Sequence, residues 1–100
     1  MFFKKLAKLL IIRRVEGHSM EPTLTPGQIV IASTLKPARV GEVVVAQLVS
    51  GREVIKRLQP SVRDGQKFSL VGDNQQHSSN YSTKEIADIY GGIVWPIMNR

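Results

Sequence analysis

Apolar residues fall along this chain in short, mostly β-branched runs cut by glycine and proline. After the turn at Pro26 and Gly27, residues 28–33 (QIVIAS) read as a β-branched strand. Lys36, Pro37 and Gly41 mark a loop, and residues 42–49 (EVVVAQLV) carry the strongest strand signal, with too many valines for a helix. Ser50, Gly51 and Arg52 signal a turn, and residues 53–58 (EVIKRL) return as a strand, which predicts a hairpin. Residues 60–65 are a second loop, 67–71 (KFSLV) another strand and 72–82 (GDNQQHSSNYS) a long polar loop. Residues 83–90 (TKEIADIY) fit one helical turn or a short strand. Gly91 and Gly92 lead into a closing strand at 93–95, stopped by Pro96. Five or six short strands, with no long helical period after residue 14, predict an all-β domain.

The first fourteen residues break this pattern. On a helical wheel Phe2, Phe3, Leu6, Leu9 and Leu10 fall in a stripe roughly 120° wide, with Lys4, Lys5 and Lys8 opposite. Ile11 departs from the stripe, and LLII followed by RRVE reads better as the chain entering a strand. The apolar run 6–12 is interrupted by Lys8 and is far short of the ~20 residues a membrane span needs. No small-residue cleavage site follows it, so it does not read as a signal peptide. Two readings stand: a basic amphipathic helix on an anionic membrane surface, or a helix packed on the domain itself. Localisation is accordingly peripheral at a membrane or cytoplasmic, without a transmembrane span.

One hundred residues make one domain with a modest core, here divided into a basic N-terminal segment, 1–14, and a body, 15–100. There is no cysteine, which removes disulfides, zinc thiolates and a thiol nucleophile. Two histidines, His18 and His77, are few for a metal site, so neither metal nor cofactor is expected. The formal charge of +6 suggests nucleic acid until it is located. Residues 1–14 hold five basic residues and no acid, and residues 15–100 hold nine basic and eight acidic, or +1. No basic stripe interleaved with aromatics remains in the body, which argues against a nucleic-acid partner.

Candidate chemistry begins at residues 15–26 (VEGHSMEPTLTP), where Ser19 sits between a Gly17–His18 approach and Met20. Far downstream, strand alternation puts Val54, Lys56 and Leu58 on one face and Glu53, Ile55 and Arg57 on the other. Burial between two aliphatics, with no carboxylate, disfavours the ammonium and lowers a lysine's pKa. A neutral lysine is a general base, whereas arginine stays protonated, so Lys56 is the candidate base and Arg57 a solvated surface charge. The plain alternatives are a Lys56 ammonium that snorkels to water and a Ser19 hydroxyl that serves a turn or cap. His18 is a poor base for its neighbour, because adjacent residues on extended backbone point to opposite sides. His77, in the polar loop, stays open as a base.

Residues 17–24 (GHSMEPTL) resemble the nucleophile box of type I signal peptidases and their relatives, the mitochondrial inner-membrane peptidases and the nickel superoxide dismutase maturation peptidases. Residues 26–32 (PGQIVIA), 52–58 (REVIKRL) and 71–80 (VGDNQQHSSN) are similar to three further boxes of that family, in the family's order. The resemblance covers roughly residues 15–98. It implies the small coiled β-sheet shared with LexA C-terminal domains, Ser19 as nucleophile and Lys56 as general base. It also implies that Ser78 orients the lysine, that Met20 packs beside the nucleophile, and that Gly72, Asp73 and Asn74 hold their loop against the catalytic strand. The activity implied is acyl transfer on a protein or peptide bound as an extended strand, removing N-terminal signal or pro-segments.

Three departures shape that expectation. Gly17 stands where many bacterial members carry an oxyanion-hole serine, which leaves backbone donors. Asn80, Tyr81 and Ser82 replace an Asp-Ser-Arg, so the salt bridge that braces the loop is expected to be missing. The family's accessory domain and membrane anchor are not in this sequence, which favours a dedicated substrate over general secretory processing. The alternatives are a LexA-type self-cleaving domain, for which residues 1–18 offer no Ala-Gly bond, and a catalytically silent peptide-binding β-domain.

Overall fold

A computed structural model describes residues 9–35, 38–60 and 68–97. Seven strands form one antiparallel sheet: β1 (Leu10–Arg14), β2 (Ile29–Ser33), β3 (Val43–Leu48), β4 (Glu53–Pro60), β5 (Phe68–Val71), β6 (Tyr81–Ser82) and β7 (Ile86–Trp95). Their spatial order is β1-β2-β7-β3-β4-β5-β6, so the last strand inserts between β2 and β3. Short 3-10 turns at Gln75–His77 and Thr83–Glu85 interrupt the chain between β5 and β7.

The valine run of β3 owes its length to burial on both faces. Val43 and Val45 pack with Val15, Met20, Leu24, Val30, Ala32 and Ile93 on one side of the sheet. Val44, Ala46 and Leu48 pack with Val54, Leu58 and Leu70 on the other. A strand covered on both faces loses the alternating pattern and becomes continuously apolar. Flanked by β7 and β4, β3 is the spine of the molecule.

The sheet curls. Arg13 of β1 reaches Glu53 at the start of β4, Nε to Oε2 at 2.6 Å, although three strands lie between them in the sheet order. The right-handed twist between strands, accumulated over five strands and helped by two register shifts between β3 and β7, brings these ends together as an open half-barrel.

The all-β expectation holds, as do the β3–β4 hairpin and the strands near 28–33 and 67–71. The reading of LLII and RRVE as the chain entering a strand holds: residues 10–14 pair with β2 from Leu10↔Ser33 to Arg14↔Ile29, which takes only Leu10 out of the helical stripe. Residues 1–8, with the lysine-bearing part of that segment, lie outside the described residues, as does most of the loop expected at 60–65. The ambiguous stretch 83–90 is both of its alternatives in turn, a 3-10 turn to Glu85 and then β7. The turn is closed by a capping box between Ser82 and Glu85. Among the described residues, no helix is long and apolar enough to cross a membrane.

Candidate active site

The loop between β1 and β2 carries Ser19 and is pinned at both ends. Val15 N–H donates to Gln28 O and Gly27 N–H to Val15 O, each at 2.8 Å. Inside the loop, Met20 and Leu24 are fully buried in the core and joined by Leu24 N–H to Met20 O at 2.9 Å. Gly17 turns the chain at φ +71°, a left-handed conformation that glycine adopts without strain. With its successor locked in the core, Ser19 is left half-buried at the surface, and its hydroxyl has no hydrogen-bond partner among the described residues.

A second loop, after β5, is clamped onto the first. Asn74 N–H donates to Ser19 O at 2.8 Å, and Asn74 Nδ2 donates to His18 O at 3.0 Å. Gly72 is where the loops touch: a Cβ there would stand 1.9 Å from Ser78 Oγ and 2.7 Å from Ser19 O. Gly72→Ala must therefore displace the backbone of the nucleophile itself. Overpacking of this kind costs about 1–3 kcal/mol. The expected result is a lower melting temperature, and peptide hydrolysis reduced roughly tenfold or more at a temperature where the variant is still folded.

Asp73, between these two contacts, joins three elements. Its carboxylate takes Arg57 Nε at 2.8 Å and Nη2 at 2.7 Å, and accepts a short bond from Thr23 Oγ1. Arg57 Nη1 also donates to Gly41 O at 2.6 Å. The guanidinium bonds hold the Asp73 carboxyl below its usual range, and the Asp73 bond raises Arg57. Arg57 is thus not the solvated surface charge expected from strand alternation. Glu53, its supposed neighbour, is taken by Arg13. The brace expected to be missing at Asn80–Ser82 is supplied by this bidentate pair instead.

Lys56 stands opposite Val44 in the β3–β4 ladder, on one face with Val54 and Leu58. Only 5% of it is exposed, and it makes no hydrogen bond or ion pair with the described residues. Desolvation pushes its pKa below the ordinary lysine value, and the positive charge of Arg52 adds to the shift. The sequence reading placed Arg52 only in a turn and at the start of the REVIKRL box, not as a charge acting on Lys56.

Ser19 and Lys56 line one open cleft of about 480 Å³, with His18, Arg52, His77 and Tyr81 on its walls. They are not hydrogen-bonded to each other. Met20 packs under the nucleophile into the core. Ser78 lies against Gly72, but its hydroxyl bonds Ser79 O at 3.3 Å and Asn80 Oδ1 at 3.4 Å rather than the lysine. His18 Nδ1 is engaged with Glu21 at 2.8 Å, and its ring lies 6.1 Å from that of His77.

One edge of the cleft is bare backbone. Leu58 N–H to Glu42 O and Leu48 N–H to Arg52 O show that the even-numbered residues of β4 bond to β3. Alternation then aims the peptide groups of Glu53 and Ile55 at the opposite edge. β5 pairs there only with residues from Arg57 to Pro60. The peptide groups of Glu53 and Ile55 face the cleft with no ladder partner among the described residues.

Sequence reasoning missed Thr23, Arg57 and this open edge. Arg57 could have been found by asking which cation Asp73 pairs with. The edge depends on where β5 ends, which local pattern does not fix. Compared with curated proteins, the chain finds no match. Compared with models of known families, residues 2–94 match the one described as Peptidase S24-like. A match over nearly the whole length, on an all-β fold with a serine and a buried lysine in one cleft, places this chain in the Peptidase S24-like family of serine peptidases.

Proposed function

We propose that the protein is a serine endopeptidase that uses Ser19 and Lys56 to remove N-terminal signal or pro-segments from other proteins. One observation carries the reading. Lys56 is a buried amine with no counter-charge, opening onto the cleft that holds an unengaged serine hydroxyl. Burying an ionisable group without a partner costs stability, and such groups concentrate where chemistry uses them.

Neutral Lys56 removes the Ser19 proton as Oγ attacks the substrate carbonyl, giving a tetrahedral oxyanion and a protonated lysine, and an ester remains on Ser19 once the C–N bond breaks. That proton passes to the leaving amine, and the lysine then activates water to hydrolyse the ester. With Gly17 before the nucleophile, oxyanion stabilisation falls to backbone donors near Ser19, a contribution of about 3 kcal/mol per donor where it has been dissected. The bare edge at Glu53 and Ile55 suits a substrate laid out as an added strand. The resemblance assigns Ser78 to orienting Lys56, but Ser79 and not Ser78 lines the cleft, so that role requires the Ser78 hydroxyl to leave Asn80.

Intermolecular cleavage is favoured over self-cleavage by the path of β1. Residues 10–14 are held along β2 and run straight into the nucleophile loop, so Arg13 and Arg14 form a wall of the cleft and not a strand laid across it. The family match keeps self-cleavage as the second reading.

Incubation with a library of peptides carrying small residues before the scissile bond tests the proposal. Wild type should cleave a subset and Ser19→Ala none, with a stable acyl adduct on Ser19 visible by intact mass when an activated ester is supplied. The rate should climb with pH as Lys56 loses its proton, with the rise below the ordinary lysine range because burial lowers that pKa. A rate flat from acidic to alkaline pH contradicts a lysine base. Spontaneous truncation of the purified chain, first order and independent of protein concentration, selects self-cleavage.

A further inference from the structure

The outer face of the β1-β2-β7 layer is apolar where a solvated sheet face would be polar. Ile12 stands opposite Ile31, Arg14 opposite Ile29, and Ile31 in turn opposite Trp95. Paired residues share a sheet face, and period two adds Leu10 to it. The alternate residues Ile11, Val30 and Ala32 pack into the core. Leu10 and Ile29 are each 39% exposed, Trp95 53% and Ile12 60%, and Ile97 just beyond the strand is 90% exposed. Scattered exposed aliphatics are ordinary, but a contiguous patch with a tryptophan marks a contact surface.

We propose that this face seats the protein on an anionic lipid surface. A tryptophan among aliphatics on an exposed sheet face suits the boundary between headgroups and acyl chains. Charge selects lipid over a second copy of the chain. β1 directly continues a segment with Lys4, Lys5 and Lys8, and residues 1–14 contain no acid, while Arg14 stands on the face itself. Two copies meeting here would face Arg14 with a second Arg14 across an apolar interface, whereas anionic headgroups neutralise it. Arginines on β1, an edge strand of the sheet, also oppose edge-to-edge pairing. The inference stands apart from the proposed catalysis and needs no substrate to test.

Trp95 is the single tryptophan of the chain, so intrinsic fluorescence reports on this face alone. With the full-length protein, vesicles of mixed phosphatidylcholine and phosphatidylglycerol should shift the Trp95 emission to the blue. Lipids brominated on their acyl chains should quench it, and high salt should weaken the effect. Ile12→Gln, at an exposed position that the fold does not need, should lower partitioning roughly tenfold or more. Unchanged emission when the protein pellets with vesicles overturns the proposal, because binding would then run through another surface. An equal shift on pure phosphatidylcholine overturns the assignment to an anionic surface. A blue shift without lipid that grows with protein concentration overturns it in favour of self-association.

Discussion

Replacing Lys56 with methionine is expected to abolish peptidase activity and to stabilise the fold. Methionine fills nearly the same volume between Val54 and Leu58 but removes the amine. General acid–base catalysis contributes about 10²–10⁴-fold, and this residue serves both acylation and deacylation, so turnover should fall by at least that factor. The stability change runs the other way because no partner offsets the burial of this amine. Desolvation lowers the folded-state pKa below the unfolded value of 10.5. Between the two values the unfolded chain binds more protons than the native one, so wild-type stability rises with pH through that window. Below the folded pKa the cost of the buried ammonium is present in full. Lys56→Met should therefore unfold at a higher temperature than wild type at neutral pH, by a few degrees if the gain is about 1 kcal/mol. That advantage should shrink as pH approaches 10. Calorimetric melts of both proteins across that pH range, beside single-turnover cleavage at one pH, read both effects. Equal melting temperatures at all pH values would mean that Lys56 reaches water, and its role as a depressed base would fall with them.

The same residue shows how much the sequence could say. Its face, its aliphatic neighbours and its lack of a carboxylate follow from period two alone, because EVIKRL admits one register once Val54 and Leu58 face inward. Ser19 was legible for a different reason. On residue pattern alone its hydroxyl could equally serve a turn or cap, and the resemblance of GHSMEPTL to a nucleophile box is what singled it out. Neither local pattern encodes the meeting of the two, which depends on the curl of five strands and on the point where β5 stops pairing. Arg57 was misread for the same reason. Its neighbours on the strand said exposed, while its partner arrives from a loop sixteen residues later. The strand entry read at LLII and RRVE is fixed by β2, which offers five consecutive backbone pairings that an isolated short helix cannot match.

That distant pairing carries the second large effect. Asp73→Asn should cost about 2–4 kcal/mol, since it leaves the Arg57 guanidinium, about four-fifths buried, with a neutral partner and disturbs the Thr23 bond. The Asp73 pKa is held below its ordinary value of 3.8, chiefly by Arg57. The contribution is therefore complete above that value and is lost as pH falls through the folded-state pKa. Denaturant midpoints of wild type and Asp73→Asn should differ by a constant amount near neutrality and converge in acid below about 3.8. Catalysis adds a separate readout. Asp73 links the strand residue next to Lys56 to Thr23 on the loop of Ser19, so its loss loosens the distance across the dyad, and misplacement by about 1 Å can cost 10²-fold. Well below the melting temperature, kcat should fall by tenfold or more with KM little changed, because the peptide edge at Glu53 and Ile55 is untouched. Arg57→Lys, which keeps the charge but loses the two-pronged geometry, should show an intermediate loss. If Asp73→Asn lowers stability while kcat stays at the wild-type value, the bridge is a structural staple only, and the positions of Ser19 and Lys56 are set without it.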